Sequence, residues 1–175
     1  MNIKKLLLLS AIITLSFILT SCNILKPKLG RDDKKIAETR LEEIIKALEN
    51  NDKEILKNMF STNALEEADD IDNNIDYVMN FYKGTIISKE GSRQGLDSNS
   101  DGIIKSELKG FYRVTTDKEK YIIFFIDQLV DTENTDNVGL YMLQIIKLED
   151  REKYFDWGNE TRCAGIFRTS DEKIN

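Results

Sequence analysis

The sequence predicts an α+β domain in which helices pack on one face of an antiparallel sheet, and three observations carry that expectation. Apolar residues recur at helical spacing from Asp33 to Tyr82. Beyond Gly84 the period falls to two, in runs rich in β-branched and aromatic residues. Helices therefore precede strands, an order that builds segregated layers instead of alternating βαβ units.

The elements follow in chain order. Ala37, Leu41, Ile44, Ile45 and Leu48 mark one face of a helix over residues 33–50, with Asp32 or Asp33 at its N-cap. Asn50 and Asn51 break it, and a short helix over 52–60 starts from Asn51 and Glu54 as a capping-box variant, with Ile55, Leu56, Met59 and Phe60 on its apolar side. Residues 61–68 read as a further turn or two. Ile71, Ile75, Val78 and Tyr82, flanked by Tyr77 and Phe81, make a last helix that Gly84 stops. Strands are expected at 85–88, 106–116, 121–130 and 138–147, separated by turn clusters such as Thr116-Asp117-Lys118 and Asn134-Thr135-Asp136-Asn137. The two central strands are apolar on both faces: Ile122, Phe124, Ile126 and Val130 oppose Ile123, Phe125 and Leu129, while Leu140, Met142 and Ile146 oppose Tyr141, Leu143 and Ile145. Helices cover one face, so the other needs the C-terminal tail, a curl of the sheet, or a partner chain. The expectation is a homodimer through the sheet.

The N-terminus indicates location. Lys4 and Lys5 precede an uncharged run over residues 6–19, and Leu19-Thr20-Ser21-Cys22 follows. The run suits a secretory signal and falls short of the roughly 20 residues that span a membrane. Its ending resembles the bacterial lipobox, whose cysteine takes a diacylglycerol thioether, and two acyl chains anchor durably where one does not. Residues 1–21 then form a signal peptide, 22–31 a tether holding the only proline, Pro27, and 32–175 a single α+β domain outside the cytoplasm, fixed to the membrane by lipidated Cys22. Cleavage removes Lys4 and Lys5 and moves the formal charge from −6 to −8, which excludes a general nucleic-acid binder. With Cys22 lipidated, Cys163 has no disulfide partner, and it reads as packing among Ala164, Gly165 and Ile166.

The stretch Asp131-Thr132-Glu133-Asn134-Thr135-Asp136-Asn137-Val138-Gly139-Leu140-Tyr141, followed by Ile145-Ile146-Lys147, resembles the signature of a bacterial lipoprotein family catalogued as domain of unknown function 5104. Thr115-Thr116-Asp117-Lys118, Trp157-Gly158 and Thr161-Arg162-Cys163-Ala164-Gly165-Ile166 fit the same pattern. The resemblance implies a nuclear-transport-factor-two-like (cystatin-like) cone, in which helices cap a curved sheet around a central pocket. It implies no activity.

The chain has no histidine, which excludes Ser-His-Asp and Cys-His nucleophilic sites and histidine-bearing zinc sites. The remaining catalytic candidate is Asp127, which alternation places beside Phe125 and Leu129, where burial disfavours the charged form. There it suits a base in a small-molecule isomerase or dehydratase, with Tyr112 or Tyr141 nearby. The alternative is a rim carboxylate bonded to a backbone amide or to Arg162. Tyr77, Phe81, Tyr112, Phe155 and Trp157 either line a pocket or serve as core. Asp97, Asn99 and Asp101, with Gly102, match the start of a calcium loop, but the closing bidentate Glu is replaced by Leu108, and a polar turn explains the same residues. These readings converge on a lipid-anchored binding or interaction module without a cofactor. The alternatives are an Asp127 enzyme and an immunity or envelope-stress protein that binds another protein.

Overall fold

The structure, a computed structural model, describes residues 31–169. The signal peptide, Cys22 and nearly all of the tether lie outside the described residues. Helix α1 (Asp33–Glu49) buries Ala37, Leu41, Ile44, Ile45, Ala47 and Leu48, the stripe its spacing dictates. Asn51 then adopts a left-handed φ of 53° and turns the chain. The cap of α2 (Lys53–Lys57) is Asp52 and not Asn51, because Asn51 makes the turn; the Asp52 carboxylate accepts from the Ile55 amide at 3.0 Å. Ser61 caps α3 (Thr62–Glu67) by accepting from the Ala64 amide at 3.1 Å. Helix α4 (Ile71–Phe81) buries Ile75, Val78 and Met79.

Among the described residues five strands form one sheet in sequential order: β1 (Ile86–Ser100), β2 (Ile103–Thr116), β3 (Lys120–Asp131), β4 (Gly139–Lys147) and β5 (Gly165–Phe167). The first four are antiparallel, and β5 runs parallel to β4. Strand β1 is 15 residues long, far beyond the expected 85–88. Its outer part is polar and carries two glycines, so it gives no apolar alternation, yet it pairs with β2 throughout. Asp101 and Gly102, with φ of 52° and 83°, make the two-residue hairpin turn. Of the calcium-loop candidates, Asp97 and Asn99 are strand residues and Asp101 is a hairpin corner.

The sheet carries two apolar layers. The inner one joins the helices to Tyr112, Val114, Tyr121, Ile123, Phe125, Leu140, Leu143 and Ile145. The outer one joins Phe111, Ile122, Phe124, Ile126, Met142 and Ile146. A C-terminal segment containing α5 (Arg151–Tyr154) covers it with Leu148, Tyr154, Phe155, Cys163 and Phe167, and the Gln144 side chain donates to the Tyr154 carbonyl at 2.9 Å. The chain supplies its own second cover, which removes the reason for expecting a dimer through that face.

Residues 59–61 pair with β4: the Leu140 amide donates to the Met59 carbonyl at 2.8 Å and the Ser61 amide to the Leu140 carbonyl at 3.0 Å. Gly139 permits this approach, having a φ of +135° and space that a Cβ would fill only at 2.9 Å from the Ser61 nitrogen. Gly139→Ala should therefore destabilise the fold by about 1–3 kcal/mol in urea unfolding. A variant as stable as the wild type would mean the approach is not tight.

Candidate functional site

Asp127 stands near the end of β3 on the inner face, 1% exposed. The ladder is irregular on both sides of it, with register shifts at Ser106/Glu107 in β2 and at Ile126/Asp127 against β4. Its partner is Arg40 of α1, whose Nε donates to Oδ2 at 2.7 Å and whose Nη2 lies 3.4 Å from Oδ1. Arg40 Nη1 donates to Glu43 at 2.9 Å. Arg40 follows Ala37 by three residues and precedes Ile44 by four, so it lies on the buried stripe of α1 and reaches the strand from above. The guanidinium offsets the charge that the apolar face would otherwise leave unpaired.

Two grooves meet at this pair. One, about 280 Å³, lies between Lys35, Ile36, Thr39, Arg40, Glu43, Asp127 and Leu129. The other, about 550 Å³, shares Arg40 and Glu43 and is floored by Ala47, Met59 and Phe60. Ile55 and Val138 flank it and are 49% and 43% exposed. Val138 is fixed by the loop before it. The Asp131 carboxylate accepts from the Glu133 and Asn134 amides at 3.0 Å each and from the Asn137 side chain at 2.8 Å. The Asn137 bond, then the Asn134 amide, hold the Asp131 carboxyl below the usual carboxylate range. Asn63 of α3 donates to Asn137 at 2.7 Å, tying the loop to the helices.

The other residues singled out from the sequence are dispersed. Tyr112 is buried on the inner face, stacked on Phe125 at 6.2 Å, and sits opposite Ile123, while Leu108 and Leu140 stand opposite Asp127. The expected grouping of Asp127 with Tyr112 is thus corrected by the register. Tyr141 lies under the Arg162 guanidinium at 4.9 Å, and Arg162 pairs with Glu107 at 2.7 and 3.3 Å instead of with Asp127. Tyr77 stacks on Phe81 at 5.5 Å and carries Arg168 over its ring at 4.5 Å. Trp157 packs on the outer face. Burial pushes the Tyr112 hydroxyl up, and Tyr82, buried without a hydroxyl partner, is pushed up further, first by desolvation and then by Glu49. Neither tyrosine gives up its proton near neutral pH. Among the described residues no three His, Cys, Asp or Glu side chains are grouped to hold a metal ion.

Sequence reasoning missed Arg40. The signal present was a cation at a core-stripe position, but 87 residues separate it from Asp127 and no local pattern joins them.

The chain belongs to the family described as Domain of unknown function (DUF5104), which it matches over residues 43–148, from α1 to the end of β4. No curated protein matches it.

Arg40→Met should destabilise the fold by about 3–5 kcal/mol by leaving the Asp127 charge buried and unpaired. Arg40→Met combined with Asp127→Leu should recover most of that loss. Chemical denaturation of both variants checks it, and additive effects would mean the two side chains are not coupled.

Proposed function

We propose that this family member is a lipid-anchored extracytoplasmic binding module, held to the cell membrane by acylated (palmitate-bearing) Cys22, that binds its ligand without transforming it. The observation that carries this reading is the Asp127–Arg40 pair. The Asp127 carboxylate is engaged by the Arg40 guanidinium through both oxygens, and Tyr112 is distant along the ladder and held protonated. The larger groove offers what binding needs: apolar contact from Ile55, Met59, Phe60 and Val138 within a rim of Arg40, Glu43, Lys46 and Asp52. A small molecule, or a short segment of another protein as the immunity and envelope-stress reading requires, matches that chemistry.

Helices over the inner face of a bulged sheet support the finer reading of a nuclear-transport-factor-two-like cone, with the groove at its mouth. Among the described residues no helix is long and apolar enough to cross a membrane. In this reading the lipid alone provides attachment.

Two experiments test the two halves separately. Cys22→Ser should abolish incorporation of labelled palmitate and shift the chain out of the membrane fraction, with thermal stability unchanged; a variant still acylated and membrane-bound removes the anchor. Native mass spectrometry of the full chain purified from its own membrane should show a retained molecule that Ile55→Asp with Val138→Asp eliminates. A retained mass indifferent to those changes means the groove is not the site.

A further inference from the structure

The outer face of the β1–β2 hairpin is a second surface, away from the groove. The C-terminal segment covers β3 and β4, and Trp157 stands where that cover meets open sheet. The ring packs on Phe111 at 5.0 Å and Phe155 at 5.1 Å, yet 42% of the residue stays exposed. Its φ is 63°, a costly conformation for a bulky L residue. Asp156 enforces it by accepting from the amides of Gly158 at 2.9 Å, Asn159 at 3.2 Å and Thr161 at 2.9 Å, and from the Thr161 hydroxyl. Desolvation pushes the Asp156 carboxyl up, but these bonds outweigh it and hold the group below the usual carboxylate range. Lys109 donates to the Trp157 carbonyl at 3.1 Å. The indole is therefore fixed half in the open by several independent contacts.

Beside the ring lies a flat shelf of uncovered strand. Ser92 is opposite Phe111, Gln94 opposite Lys109, and Glu90 opposite Arg113, so these side chains share the outer face. The charges on the shelf are internally engaged, Arg113 with Glu90 at 3.4 Å and Lys109 with the Trp157 carbonyl. The uncharged hydrogen-bonding groups of Ser92 and Gln94 remain beside an aromatic wall.

We propose that this shelf binds a neutral glycan chain, with Trp157 stacking on a sugar ring and Ser92 and Gln94 hydrogen-bonding its hydroxyls. A pyranose is amphipathic in the same sense as the shelf: its C–H face packs on an indole, and its hydroxyl rim needs amides and hydroxyls. The competing occupants fit worse. A chain of formal charge −6 repels nucleic acid and anionic lipid, and a wholly apolar partner would bury the Ser92 and Gln94 side chains unpaired. Among the described residues β1 is exposed along nearly its whole length, as suits a linear polymer lying along the strand. This inference depends on neither the groove nor the lipid anchor.

Trp157 is the only tryptophan in the chain, so its fluorescence reports this site alone. The full chain, in a detergent without sugar head groups, is titrated with chitohexaose and with cellohexaose. The expected result is a saturable change in indole emission, weakened about tenfold or more in a Ser92→Ala, Gln94→Ala double variant. Trp157→Gly relieves the backbone conformation but loses the ring's packing on Phe111 and Phe155, so it should keep the fold, read by far-UV circular dichroism, while abolishing binding measured by calorimetry. Cys22→Ser should leave the titration unchanged, which separates this site from the anchor. The proposal is overturned by no emission change with either sugar up to about 5 mM, by undiminished binding in Trp157→Gly, or by phosphatidylglycerol vesicles producing the change that the sugars do not.

Discussion

Strand β3 cannot be solvated on either side, and the rest of the molecule is arranged around that constraint. From Tyr121 to Asp127 every residue is buried, with Ile123 and Phe125 in the inner layer and Ile122, Phe124 and Ile126 in the outer. Each such side chain contributes about 1.5–3 kcal/mol when removed from water, so exposing either layer would remove much of a small domain's stability. One layer is met by α1–α4. The other is met by a segment whose regular elements are only three or four residues long, pinned by Phe155, Phe167 and the Gln144 bond to Tyr154. Filling both faces packs the mid-sheet span from Tyr121 to Asp127 with buried side chains. Surfaces able to bind are pushed to the margins, where α1 and α2 meet the 131–139 loop and where the C-terminal cover ends.

The Asp127–Arg40 pair sits at the first of those margins. Paired charges at a buried position contribute little net stability, because desolvation cancels most of their attraction, while removal of one partner is costly. Their effect is on geometry. An inner-face carboxylate at the irregular end of β3 accepts only a cation that approaches from the helix layer, and Arg40 does so at one angular setting of α1. That setting in turn holds Glu43 beside Arg40, on the line where the two grooves join. The polar rim of the candidate site is thus a by-product of neutralising one strand carboxylate.

What was legible in the sequence divides along physical lines. The helices were legible because burial imposes a 3.6-residue period, and α1 buries Ala37, Leu41, Ile44, Ile45 and Leu48 as that period requires. The two-sided burial of β3 and the inward placement of Asp127 followed from alternation alone. Strand β1 was not legible, since an exposed edge strand of Ser, Gln, Gly and Asn has no apolar alternation to show, and its Asp-rich end imitates a calcium loop. Edge strands are often polar for this reason: an apolar edge invites unwanted pairing. Nor was the partner of Asp127 legible. Alternation says which face a strand residue takes but not which helix will lie above it, and Arg162, the nearer guess, is drawn off by Glu107 and Tyr141.

The family match spans residues 43–148 and so contains the end of α1, α2 and the 131–139 loop, which floor and flank the larger groove. Within that span, Asp131 folds the loop on itself, Asn137 ties it to Asn63, and Gly139 lets β4 run against residues 59–61. Three short-range devices thereby hold Val138 opposite Ile55. The shelf is built differently. Ser92, Gln94 and Phe111 lie inside the matched span, but the indole that walls them and the Asp156 turn that fixes it lie beyond it. Apart from Arg40, the groove is therefore lined by matched residues, whereas the shelf is completed by the C-terminal cover. Any change that loosens Phe155 from Phe111 or Phe124 should disturb the shelf directly, because its indole packs on both Phe111 and Phe155.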